Sequence, residues 1–267
     1  MSKEINLYGR IRVTGKIKLI TGLHIGRGND NISIGGLDNA IMRDPRSNQP
    51  YIPGASLKGK LRSLAERREP NLLMNTKVGR DVFIHTCEKE ANPEKVCVVC
   101  KIFGMPGQAI KAAPTRLLVR DVFMTDESSA KFSQLETDLP YTEIKYEASI
   151  DRITSAANPR PMERVPAGAE FGTFEMLFSI YEENDVKLFP KLLEYMRLLE
   201  DDYLGGSGSR GYGKIEFSDL LLRIIPVMAY SNADLEIMGI PADNLMGLQT
   251  RIESDIKEDF FKEFLDG

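Results

Sequence analysis

The sequence predicts an α+β fold, a ferredoxin-like βαββαβ core interrupted by two large insertions. Three patterns predict it. Apolar residues alternate with polar ones at 11–19 and 174–180, a period of two. Apolar residues recur at helical spacing at 57–65 and 189–199. Between these segments lie long polar stretches that fit neither period.

Ile11, Val13, Gly15, Ile17 and Leu19 alternate with Arg12, Thr14, Lys16 and Lys18, which predicts the first strand. Residues 21–53 are rich in Gly and Asn and read as loops with a short hairpin. Pro53-Gly54-Ala55-Ser56 is a turn ending in a good N-cap, and Leu57, Leu61, Leu64 and Ala65 follow as the stripe of a first helix that ends at Pro70. Residues 69–112 form an insertion holding every cysteine of the chain. A second strand is expected at 117–124, and a polar insertion, 125–168, separates it from a third in which Phe174, Met176, Phe178 and Ile180 alternate. Phe189, Leu192, Leu193, Met196 and Leu199 mark a second helix over 186–203, with Pro190 tolerable in its first turn. A fourth strand spans 215–224, and a last amphipathic helix is expected at 248–265. Residues 1–225 read as one domain with an RRM-like core, a plan many RNA-binding proteins use, and 226–267 as an acidic C-terminal extension. Many unrelated functions share this plan, so topology alone leaves a domain with no nucleic-acid role open.

At 267 residues the chain is long enough to bury a core without disulfides. No apolar run reaches the ~18 residues of a membrane span, because Arg223 and Pro226 interrupt the best stretch. Three clustered cysteines and an N-terminus without an apolar leader point to a reducing cytoplasm. The net charge of -4 is uneven: residues 234–267 carry nine acidic and three basic side chains, which leaves the remainder slightly positive. Overall acidity therefore does not exclude a basic groove.

The sharpest chemical signal is His85-x-Cys87-x9-Cys97-x2-Cys100, four soft or borderline ligands within sixteen residues. The spacing fits a closed, structural Cys3His zinc site, and the alternative is reduced cysteines packed as small hydrophobes. Residues 205–213 hold five glycines in nine positions. They follow a helix and precede a strand, the reverse of a dinucleotide-binding loop, and no Walker pattern follows. What is left is a backbone that can approach phosphates, with Arg210 supplying charge, or simply a flexible connection. Lys58, Lys60, Arg62, Arg67 and Arg68 make the first helix strongly positive, with Ser56 and the helix N-terminus as an anion site, or else a solvated face. By spacing alone, His24 and Asp38 read as an ordinary histidine and a turn residue.

Taken in order, Thr21-Gly-Leu-His-Ile-Gly26, Ile34-Gly-Gly-Leu-Asp38, Ile52-Pro-Gly-Ala-Ser-Leu-Lys-Gly-Lys60, Tyr141-Thr-Glu-Ile-Lys-Tyr146, Ile150-Asp-Arg-Ile-Thr154, Ala157-Asn-Pro-Arg160, Glu163-Arg-Val165 and the run from Asp202 to Gly213 closely resemble the backbone RAMP subunit of type III-A CRISPR effector (Csm) complexes. The likeness covers about residues 8–225 and leaves the acidic tail outside it. It implies a subunit that assembles with its own copies and other Csm subunits along a guide RNA and cuts the paired target RNA. It implies Asp38 as the cleavage residue, and His24, Lys58, Arg62 and the loop Gly206, Ser207, Gly208, Ser209 and Arg210 as guide-RNA contacts. Arg152 and Thr154 would sit on a thumb hairpin within 125–168 that reaches over the guide–target duplex. The zinc ligands occur in only some members, so zinc rests on the spacing.

Cleavage by a ribose 2′-hydroxyl attacking its own adjacent phosphate needs one carboxylate to orient or deprotonate that hydroxyl, or to hold Mg²⁺. No second carboxylate or histidine acid stands out, so geometry would carry much of the rate. A guide-binding subunit that does not cut and a free CRISPR-RNA-processing ribonuclease are the alternatives. A metabolic zinc enzyme fits poorly, because the zinc site has no open ligand position.

Overall fold

The structure, a computed structural model, describes residues 5–27, 40–87, 95–106, 114–137, 139–232, 237 and 239–255. The chain opens with β1 (Gly9–Leu19), whose odd-numbered residues are buried throughout. β2 (Tyr51–Ile52) leads into α1 (Gly54–Arg68), then a short hairpin of β3 (Thr76–Lys77) and β4 (Phe83–Ile84), then α2 (Val98–Phe103). β5 (Leu117–Val119), β6 (Val122–Phe123) and α3 (Asp126–Ser133) precede a longer hairpin of β7 (Glu143–Ile150) and β8 (Ala157–Arg164). β9 (Glu170–Ile180), α4 (Phe189–Asp201), β10 (Ile215–Pro226), β11 (Gly239–Ala242) and α5 (Leu245–Asp255) follow.

The fold is mixed α and β around a five-stranded antiparallel sheet in the order β11-β10-β1-β9-β5. α1, α4 and α5 pack beside one another on one face of it. Phe174 meets Phe217 edge-on at 5.4 Å between ring centres, and Phe178 meets Phe189 in the same way at 5.7 Å. Each such buried ring contributes roughly 1.5–3 kcal/mol. Register fixes the ends of the sheet: Gly9 lies opposite Ile180 and Pro226, and Leu19 lies opposite Ile215. Residues 20–27, the glycine loop and the base of the β7–β8 hairpin, where Leu23 bridges Val165, all gather at the Leu19 end.

The expected strand at 117–124 is two strands. Asp121 turns its carboxylate to accept from the Gly54 amide at 2.7 Å, capping α1, and β6 leaves the main sheet to pair with β2. That carboxylate takes the place of the anion site expected at the helix N-terminus. The polar stretch 125–168 carries α3, whose N-cap Thr125 hydroxyl accepts from the Ser128 amide at 3.2 Å, and then the β7–β8 hairpin. A turn of 3-10 helix over Glu183–Leu188 precedes α4, held by buried Asp185 against buried Arg116 at 3.0 Å. The extension belongs to the core: β11 adds the fifth strand, and α5 packs on α4, β10 and β11. α5 starts earlier than expected, and residues 256–265 of the expected helix lie outside the described residues. Among the described residues no helix is long and apolar enough to cross a membrane.

Candidate nucleic-acid interface and metal centre

The glycine loop is a built structure. The Gly206 amide donates to the His24 carbonyl at 2.8 Å, and the Gly213 amide to the Gly22 carbonyl at 2.9 Å. A side chain on Gly208 would strike the Tyr203 ring, and Gly213 has φ 76° with the Leu204 carbonyl where a Cβ would sit. Both positions exclude other residues sterically. Arg210 reaches across to Glu147 on β7 at 3.0 Å. Lys145, Glu147, Arg160 and Arg210 line an open groove between loop and hairpin. Lys145 and Arg164 both lie over the Tyr212 ring, at 4.7 and 4.9 Å from its centre.

His24 is buried, and its Nδ1 lies 2.7 Å from the Glu163 carbonyl. A carbonyl only accepts, so Nδ1 carries the proton and donates. Glu163 is 2% exposed and works through its side chain as well. It accepts from Arg43 Nη2 at 2.6 Å, the Thr142 hydroxyl at 2.9 Å and the Ile41 amide at 2.9 Å. Its neighbour in sequence, Arg164, binds Glu143 instead, at 2.7 Å. Asp38 lies in 28–39, outside the described residues. The flanks of that segment are pinned: the Arg27 amide donates to the Ala40 carbonyl at 3.1 Å, and the Met42 amide to the Ile25 carbonyl at 2.8 Å.

At the hairpin tip, Asp151 accepts from the Thr154 amide at 2.7 Å, the Ile153 amide at 2.9 Å and the Thr154 hydroxyl at 3.0 Å. The two amide bonds and then the hydroxyl hold the Asp151 carboxyl below its usual range. Thr154 thus builds the turn, while Arg152 is exposed and Ile153 stands 94% exposed.

Two expected phosphate contacts turn inward. Lys58 donates to the Leu117 carbonyl at 2.9 Å, and burial, followed by the Arg62 charge, pushes it below the ordinary lysine range. Arg62 donates to Glu66 at 2.9 Å, to the Gly104 carbonyl at 2.9 Å and to the His85 carbonyl at 2.7 Å. A basic helix in the sequence does not reveal that Arg62 serves backbone carbonyls of the insertion and Lys58 one of β5.

The expected ligands do converge. The donor atoms of His85, Cys87, Cys97 and Cys100 all lie within 4.8 Å of one another, with Cys87 Sγ 3.4 Å from His85 Nε2. His85 Nδ1 lies 2.9 Å from the Leu73 carbonyl, which aims Nε2 at the sulfurs. The Cys97 amide approaches Cys87 Sγ at 3.4 Å, and the Cys100 amide approaches Cys97 Sγ at 3.4 Å. The hydrogen bond from the Cys100 thiol, opposed by burial, pushes the Cys97 thiol down to about 5, while Cys100 is pushed up. Three sulfurs and one imidazole nitrogen gathered this closely can hold one ion.

A family model described as the RAMP superfamily matches residues 16–216. The chain belongs to that family. A CRISPR system Cms endoribonuclease Csm3 from Methanothermobacter thermautotrophicus is 44% identical over 230 residues, covering 82% of this chain and 87% of that protein. One of the same description from Methanocaldococcus jannaschii is 42% identical over 232 residues, covering 85% and 86%. The Csm3 chains form the family's branch to which this one belongs. Among solved structures, a Csm3–Csm4 subcomplex of the type III-A CRISPR-Cas interference complex is 31% identical with a TM-score of 0.60, covering 94% of this chain and 98% of that one. Methanopyrus kandleri Csm3, at 22% identity and a TM-score of 0.63, shares the fold.

Proposed function

We propose that this chain is the guide-RNA-binding backbone subunit of a type III-A CRISPR interference complex and that it cleaves complementary target RNA at regular intervals through Asp38. The observation that carries this is a set of relatives named Csm3 endoribonucleases, 36–44% identical over 79–85% of the chain. Residues 1–225 are one RAMP domain. The strand order β10-β1-β9-β5, with α1 and α4 on one face, supports a ferredoxin-like core. The zinc-stapled insertion is 69–112, the thumb-like insertion with the β7–β8 hairpin is 125–168, and 226–267 is an acidic extension whose β11 and α5 pack on the core. Copies of the chain stack along the guide beside other Csm subunits, in the cytoplasm.

Guide phosphates run past the glycine loop, where the amides of residues 207–209 and the side chains of Arg210, Lys145 and Arg160 supply contacts, while the Gly206 amide holds the loop to the His24 carbonyl. His24 shapes this wall through its carbonyl and the hydrogen bond to Glu163. The hairpin tip, with Arg152 and Ile153 exposed, wedges the guide–target duplex and flips one base out of the stack, which holds that nucleotide in line for attack. There the 2′-hydroxyl attacks the adjacent phosphorus, the P–O5′ bond breaks, and a cyclic phosphate and a 5′-hydroxyl result. Asp38 accepts the proton from the attacking hydroxyl, and solvent water protonates the leaving 5′-oxygen. The alternative role for the same carboxylate is to hold Mg²⁺, which would neutralise phosphate charge; Glu143 and Glu163 are committed to Arg164 and Arg43. Zinc fits the Cys3His donors and takes no part in cleavage.

The test is single-turnover cleavage of labelled RNA by the assembled complex. Regularly spaced cuts in complementary target only are expected. Cutting by the isolated chain at guide-precursor hairpins would make it a processing nuclease instead. Metal analysis should find roughly one zinc per chain, lost when Cys97→Ala and Cys100→Ala are combined; full zinc in that double variant would overturn the site. Guide affinity should fall steeply with salt and vary little with spacer sequence, and Arg210→Ala should lower the salt slope by about 1. Affinities differing by orders of magnitude between unrelated spacers at fixed salt would overturn backbone recognition.

A further inference from the structure

The metal donors are reached by two side chains that belong to neither the insertion nor the donor set. Arg62 and Glu66 lie one turn apart on α1, with side chains 15% and 8% exposed, and pair at 2.9 Å. Arg62 Nη2 donates to the His85 carbonyl at 2.7 Å, and the His85 amide donates to Glu66 Oε1 at 3.2 Å. Both main-chain groups of His85 are thus held by α1. The remaining terminal nitrogen of Arg62 donates to the Gly104 carbonyl at 2.9 Å. Gly104 ends α2, whose N-cap is Cys97 and whose first turn holds Cys100. One guanidinium therefore joins the histidine arm of the donor set to the Cys-x2-Cys arm. A planar fork with fixed donors suits this bridge, and an ammonium cannot reproduce it.

We propose that Arg62 and Glu66 are positioning residues of the metal centre: they fix its two arms at the separation that one tetrahedral ion requires, and Arg62 is not a guide-phosphate contact. The proposal rests on the assignment of zinc to the Cys3His donors. It assigns to α1, at the boundary of the core, the part that hydrogen bonds around a metal site take in setting affinity.

The experiment uses the full chain loaded with zinc and a chromophoric chelator as competitor, comparing wild type with Arg62→Ala, Arg62→Lys and Glu66→Ala. Unfolding transitions serve as the check on folding. Arg62→Ala should hold zinc about 10- to 100-fold more weakly. Arg62→Lys should fall between it and wild type, because lysine can serve one of the two carbonyls. The salt slope of guide binding by zinc-saturated Arg62→Ala should match wild type, a readout that a phosphate contact would lower by about 1. Wild-type zinc retention in Arg62→Ala overturns the proposal, and a lowered salt slope with retained zinc makes Arg62 a phosphate ligand. If Arg62→Ala does not fold, Arg62→Lys and Glu66→Ala decide by the same chelator comparison. Absence of zinc from wild type removes the underlying metal assignment, a failure seen before any variant is made.

Discussion

Asp38→Ala should lower target-RNA cleavage by about 10²-fold or more, the loss expected when a general base is removed. Guide binding, target binding and zinc content should stay near wild type. The competing carboxylates already have structural work. Asp121 caps α1 at the Gly54 amide, Glu143 pairs with Arg164, and Glu163 is buried on Arg43. The chain departs at Arg27 and returns at Ala40 through a backbone hydrogen bond of 3.1 Å, beside His24 and the glycine loop. The segment that carries Asp38 therefore begins and ends at the same end of the sheet as the proposed guide contacts. The measurement is single-turnover cleavage at saturating target in Mg²⁺, with alanine at Asp38, Asp121, Glu143 and Glu163 in turn. Near-normal cutting by Asp38→Ala, with loss in one of the others that still folds and binds guide, would move the active site. Normal cutting by all four would favour a guide-binding subunit that does not cleave.

Periodicity made β1, α1, β9, α4 and β10 legible, because each buries one face and the sequence repeats with the matching period. The metal donors were legible because their chemistry is local: four ligands within sixteen residues need little tertiary information. What escaped depends on partners far along the chain. Asp121 breaks a strand because it caps a helix 67 residues earlier. α3 hides in a polar stretch where only Thr125 followed by Asp126 and Glu127 signals a helix start. β11 contains Gly239 and Pro241, residues that argue against a strand except at a sheet edge, which is where it lies. Lys58 and Arg62 show the same limit within the proposed site. Residue type announces a donor, but a phosphate and a backbone carbonyl can each accept from it, and only the fold shows which carbonyls these two side chains reach.

Glu163→Ala should give the largest loss of stability among these variants. Its carboxylate is 2% exposed and accepts from Arg43, Thr142 and the Ile41 amide, so truncation strands three buried or half-buried donors at once. Arg43 keeps bonds to the Asn48 and Pro140 carbonyls, but its charge loses the only carboxylate it pairs with among the described residues. Breaking a buried pair from one side costs about 3–5 kcal/mol, because the remaining charge is left without compensation. In a domain of this size that corresponds to a fall in Tm of roughly 6–20 °C. Glu163→Gln keeps one acceptor but sets an amide N–H₂ against the guanidinium, so it should recover only part of the loss. Arg43→Met combined with Glu163→Ala removes both charges and should be more stable than the sum of the single effects predicts. Denaturant unfolding of wild type, Glu163→Ala, Glu163→Gln, Arg43→Met and the double variant measures this directly. A Glu163→Ala loss within about 0.5 kcal/mol of zero, the range of an ordinary surface change, would mean that the buried carboxylate is not what joins the chain after Asp38 to the hairpin.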